Sequence, residues 1–212
     1  MEPDRRAKMR HSKMAGAGIG LSVLLLSLTG CASGFYRAVP PSRRTGYFRT
    51  TTLLNESRPD RKAPVVISRK TDLARYHGNL LVTAAPFWVR EIRYIGGFRH
   101  IMTTREMEKK IIRAGLANRI RSLGSLLDLH RAYTVWGPFL WVHVRFHIGS
   151  SNREGLHKVE LIVTDPHSTQ RLFVTREQFG SFLANSVNDR ETFYPMLNSF
   201  IDWIRENGGK AR

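Results

Sequence analysis

The run Leu140-Trp-Val-His-Val-Arg-Phe-His-Ile148 alternates without a break. Leu140, Val142, Val144, Phe146 and Ile148 fall on one side of an extended chain, and Trp141, His143, Arg145 and His147 on the other. A period of two belongs to a strand with one buried face and does not fit a helix. The next segments repeat the pattern, with Val159, Leu161 and Val163 in one and Leu172 and Val174 in the other. Asp165-Pro-His-Ser168 between them is a turn sequence, because Asp binds backbone ahead of it and Pro presets its own φ. Three consecutive strands joined this way predict an antiparallel C-terminal meander.

Upstream, periods of two and of three to four alternate. Pro64-Val-Val-Ile67 reads as a short strand, and Leu80-Leu81-Val82 either continues the sheet or opens a helix. Thr83 and Pro86 suit a helix start; Trp88, Ile92 and Ile95 follow at helical spacing, and Gly96-Gly97 stops the helix. Phe98 to Met102 is short and compatible with a strand. Thr103-Thr-Arg-Glu106 has the spacing of a capping box, in which hydroxyl and carboxylate each satisfy the other's backbone N–H. Met107, Ile111 and Ala114 continue on one face until Gly115, and further helix is expected between Leu116 and His130, interrupted near Gly124. Tyr194, Leu197, Ile201 and Ile204 mark a last amphipathic helix that ends at Asn207-Gly208-Gly209. The expected class is α/β (α+β): a two-layer sandwich in which helices cover one face of a mixed sheet.

The beginning of the chain follows different rules. Leu21 to Leu28 is an apolar run of eight residues, preceded by Arg5, Arg6, Lys8, Arg10 and Lys13. It is far shorter than the ~20 residues of a membrane-spanning helix and has the length of a secretory signal. The positive flank is long, so Met9 and Met14 rival Met1 as the start. Leu28-Thr29-Gly30-Cys31 then resembles the bacterial lipoprotein box, a Leu and two small residues before the cysteine that is lipidated. The resemblance implies cleavage before Cys31 and three acyl chains on it. One chain anchors only weakly, because each buried CH₂ adds ~0.8 kcal/mol, whereas several anchor stably. Ala32, in place of Asp, resembles the sorting pattern for the outer membrane. The expected organisation is a signal at 1–30, a polar and proline-bearing tether at 31–63, an α/β periplasmic domain at 64–207 and a tail at 208–212. Tyr47-Phe48 and Thr51 to Leu54 could lean on that domain or add an edge strand.

Cys31 is the one cysteine of 212 residues, so no internal disulfide can form and packing alone must hold the core. An apolar fraction of 42% is enough for one. The formal charge is +17, and +14 without the first 30 residues. In a cytoplasmic chain this would point first to nucleic acid. Behind an export signal the available polyanions are lipopolysaccharide phosphates, anionic headgroups, acidic polysaccharide and peptidoglycan carboxylates, and no nucleic-acid partner is expected.

Catalytic and metal patterns are weak. His143 and His147 share a face, but four strand residues span ~13 Å, too far to share one ion. With Cys31 given to lipid, neither a metal site nor a cofactor is expected. There is no G-x-S-x-G motif, and Gly149-Ser150-Ser151 lies between strands. Asp165 and Asp189 are the candidate carboxylates, and Asp165 more simply holds its own turn. The stripe Trp141, His143, Arg145 and His147 reads either as a solvated sheet face whose Trp the tether covers or as the candidate partner-binding face, since Trp and Arg are favoured anchors. Protonation of the two histidines predicts tighter anion binding there at mild acidity.

The element order also resembles an envelope fold of the curli-secretion lipoprotein family and of the amino-terminal domain of the Tol-system propeller protein. Ile95-Gly-Gly-Phe98-Arg-His-Ile-Met-Thr-Thr-Arg-Glu106 and Thr164-Asp-Pro-His-Ser-Thr-Gln-Arg-Leu-Phe173 carry the likeness. No counterpart of the curli pore's long membrane-inserting hairpins is present, so a pore is not implied. The expectation is a lipid-anchored, non-enzymatic outer-membrane component that docks a partner protein or an anionic envelope polymer. An envelope enzyme acting on peptidoglycan or lipopolysaccharide is one alternative. A nucleic-acid binder whose apparent signal is misread is the other.

Overall fold

The computed structural model describes residues 39–51, 57–147, 156–180 and 192–208. They belong to one compact unit, residues 38–212. The class is α+β, with a mixed six-stranded sheet. Strands β1 (Arg49–Thr51) and β2 (Ser57–Pro59) form a separate antiparallel pair. The main sheet contains β3 (Val65–Ser68), β4 (Asn79–Thr83), β5 (His100–Thr103), β6 (Leu140–His147), β7 (Leu156–Thr164) and β8 (Arg171–Gly180). Their order across the sheet is β3-β8-β7-β6-β4-β5. β4 is parallel to both its neighbours, β5 and β6, whereas β7 is antiparallel to β6 and to β8.

The helices are α1 (Pro86–Ile95), α2 (Thr104–Arg113), α3 (Leu126–Trp136) and α4 (Tyr194–Glu206). Two cores result. Leu80, Val82, Leu140, Val142, Leu161 and Phe173 pack with Trp88 and Ile92 of α1 and with Leu197 and Phe200 of α4. Leu81 instead joins Met107 and Ile111 of α2 and Leu129 and Ala132 of α3. Neighbouring residues of a strand point to opposite faces, so the helices lie on both faces of the sheet. This corrects the two-layer expectation with helices on one face. The connections explain it. The path from β4 through α1 to β5 steps outward, and the path from β5 through α2 and α3 to β6 steps back across β4. Crossovers between parallel strands are right-handed, so steps in opposite directions put their helices on opposite faces. The unbroken apolar run Leu80-Leu81-Val82 is the mark of a strand buried on both sides.

Two further expectations change. Residues 116–125 are not helical; Gly115, at φ 70°, ends α2, and Ser125 caps α3 by accepting from the Asp128 amide. Ile120 and Leu123 of that segment are buried in the second core. The later part of the segment 31–63, expected as tether, is instead built into the domain where it is described. Phe48 is fully buried, Ala63 is 4% exposed, and both belong to the first core. The packed segment turns α4 from an amphipathic helix into one buried on every side from Tyr194 to Ile201.

Candidate functional site

The stripe begins on β6 with its register. Trp141 pairs with Thr164, His143 with Ile162, Arg145 with Glu160 and His147 with Lys158. On the far side of β7, Glu160 pairs with Arg176, Ile162 with Val174 and Thr164 with Arg171. Cross-strand partners share a face, so the second face of β6, β7 and β8 carries Arg145, His147, Lys158, Arg171 and Arg176. Glu160 is the one carboxylate of that face among the described residues.

The structure divides the four stripe residues into two pairs. Trp141 is half-buried and packs against the second core. Its Nε1–H donates to Thr83 Oγ1 at 3.0 Å, and Thr83 Oγ1 lies 3.1 Å from Thr104 Oγ1. Its ring stacks on His143 with centroids 3.9 Å apart and 19° between planes. Trp141 therefore serves the join between β4, β6 and α2 and is not an open anchor. His143 is half-buried beneath it, and its Nδ1 has no hydrogen-bond partner among the described residues. Burial, then the charges of Arg145 and Arg171, lower its pKa to about 4. The expected gain of charge on His143 at mild acidity is thereby corrected: a ring with two guanidiniums beside it and little water stays neutral.

Arg145 and His147 are exposed and form the open half of the stripe. His147 Nε2 lies 2.9 Å from Glu160 Oε2, and Arg176 donates to Glu160 Oε1 from Nε at 2.9 Å and from Nη2 at 2.6 Å. The Glu160 side chain is 6% exposed. Burial opposes its ionisation, but hydrogen bonds from His147 and Arg176 and the Arg176 charge hold its pKa below the usual carboxylate value. Glu160 is thus occupied by its own neighbours. Arg145, Lys158 and Arg171 are exposed and make no ion pair among the described residues. Three open cations on a face whose one carboxylate is already engaged favour an anion. Lys158, Arg171, Arg176 and Glu160 are absent from the sequence reading of this face, since single-strand alternation does not reveal which residues lie opposite one another.

Asp165 holds its own turn, accepting from the His167 amide and the Ser168 hydroxyl, both at 2.9 Å. Arg75 approaches it at 3.7 Å. Asp189, the signal at 1–30, the lipobox residues Leu28, Thr29 and Gly30, and Cys31 lie outside the described residues. Among the described residues no group of three or more His, Cys, Asp or Glu is arranged to hold a metal ion. Ile95 to Glu106 runs from the end of α1 into the first turn of α2, and Thr164 to Phe173 forms the turn into β8. No family model matches the chain, and neither a curated protein nor a solved structure matches it.

Proposed function

We propose that the chain is an outer-membrane lipoprotein, anchored through Cys31 and facing the periplasm, whose domain acts without catalysis by holding an anionic envelope polymer. The binding surface is the open half of the second sheet face, displayed by the β6–β7–β8 meander. One observation carries this reading: Arg145 and Lys158 stand exposed on the face of Glu160, whose oxygens His147 and Arg176 already occupy, and Arg171 is exposed further along the same face. Lipopolysaccharide phosphates are the ligand whose chemistry fits best, because guanidinium forks bind phosphate in two-point contacts.

The test is binding of the purified chain to lipopolysaccharide at several salt concentrations. Paired substitution Arg145→Glu and Lys158→Glu weakens binding at least tenfold and flattens its salt dependence. Parental affinity in that variant, with an unchanged melting temperature, overturns the assignment.

A further inference from the structure

A second basic surface lies at the opposite edge of the sheet. β5 is the edge strand, and α2 follows it without a linker. Between them runs an open groove of about 370 Å³, lined by Arg99, His100, Glu106, Lys109, Lys110 and Arg113 among others. The carboxylate in this lining is already committed. Glu106 accepts from the Thr103 amide at 2.7 Å and from Arg93 Nη2 at 2.8 Å through both oxygens. Backbone bonding from Thr103, opposed by burial and aided by Arg93, holds its pKa below the ordinary value. Arg99, Lys109, Lys110 and Arg113 make no ion pair among the described residues.

Cations in the last turn of a helix favour its C-terminal dipole, and Lys110 and Arg113 gain from that. Arg99 and His100 belong to the strand side and gain nothing from it, yet they face the same groove. The neighbourhood also exposes apolar side chains. Ile112 is 65% exposed, three residues after Lys109 and therefore its neighbour on the helix surface. Leu127, at the start of α3 in the same outer layer, is 61% exposed.

We infer that the β5–α2 groove docks the domain on an anionic bilayer, its cations on headgroup phosphates and Ile112 in the headgroup boundary. A dissolved polyanion would reward the cations but not the exposed isoleucine, whereas a lipid surface rewards both. The length of chain ahead of the domain agrees. From Cys31 to Val39 is about eight residues, which reach at most about 29 Å, so a lipid on Cys31 keeps the domain near a membrane. The groove itself does not depend on that lipid.

The experiment uses the full chain with Cys31→Ala, so that no acyl anchor contributes, and sediments it with phosphatidylcholine vesicles with or without phosphatidylglycerol. All variants share the amino-terminal segment, so differences between them report the groove. Binding requires phosphatidylglycerol and falls at least about fivefold for each cation reversed, thus at least about a hundredfold for Lys109→Glu, Lys110→Glu and Arg113→Glu together. Arg99→Glu, outside the helix, gives a smaller loss without touching the helix terminus. Ile112→Ser weakens vesicle binding, and inorganic phosphate does not compete at equal ionic strength. The sheet-face pair Arg145→Glu and Lys158→Glu leaves vesicle binding unchanged, so this proposal and the polymer proposal fail separately. Unchanged vesicle binding in both the triple variant and Arg99→Glu overturns the inference. So does equal binding to vesicles lacking phosphatidylglycerol, or full competition by inorganic phosphate.

Discussion

Asn198 of α4 grips Phe48 through both of that residue's backbone groups. Its Oδ1 accepts from the Phe48 amide at 2.7 Å, and its Nδ2 donates to the Phe48 carbonyl at 2.9 Å. The same Nδ2 donates to the Arg61 carbonyl at 2.9 Å. One fully buried amide thus ties two separate parts of the amino-terminal segment to the last helix. Around it, Tyr47 hydrogen-bonds Asp202, Lys62 pairs with Asp202 at 2.5 Å, and Arg205 lies over the Tyr47 ring.

Asn198→Ala removes that grip and leaves buried backbone groups without partners. Each such group costs about 1–3 kcal/mol, so with two buried groups on Phe48 the variant loses at least about 2 kcal/mol in urea unfolding. A loss below about 0.5 kcal/mol would mean that the segment is merely draped on the helix.

Gly78 precedes β4 at φ 72°, where a Cβ would stand 3.1 Å from Arg99 Cγ and from the Arg99 amide nitrogen. Both the left-handed backbone and the close approach of Arg99 strain a side chain at this position. Gly78→Ala is expected to cost about 1–2 kcal/mol or more, read as a lower melting temperature. A neutral result would show that the β4 entry can shift.

Glu160 makes stability depend on acid. Its folded pKa lies below the ordinary value of 4.5, so its contribution is present above that value and is lost as the pH falls through the folded one. The parent chain therefore loses stability more steeply than Glu160→Gln below about pH 4.5, and the two curves converge. Parallel curves would remove Glu160 as the cause.

His143 acts over a higher window. Folding lowers its pKa from 6.5 to about 4, so its contribution is complete above 6.5 and is lost as the pH falls toward 4. Its ring nitrogens should report a neutral imidazole at pH 5.5 by NMR, and His143→Gln should flatten the stability profile between 6.5 and 4. Titration near 6.5 would place the ring in water.

Local patterns were readable wherever one element satisfied its own groups. The Thr103–Glu106 capping box forms as its spacing predicts. Trp88, Ile92 and Ile95 are buried along α1, and Leu140, Val142 and the Trp141 side of β6 separate as alternation requires. What depends on distant partners was harder to read. Phe48 is a core residue only because Asn198, 150 positions away, receives its backbone. Leu81 faces a second helical layer only because the chain crosses back over β4. The open cations at Lys158 and Arg171 join Arg145 through register, which no single strand encodes. Trp141 looks like an anchor in the sequence, but Thr83 captures its indole N–H.

Acylation of Cys31 is the step on which the envelope role of the domain depends. Mass spectrometry of the protein taken from membranes should find a triacylated Cys31 as the first residue, with Leu28-Thr29-Gly30 removed. An unacylated protein that retains the residues before Cys31 would contradict the anchored reading, and would free the basic surfaces for a partner other than the envelope.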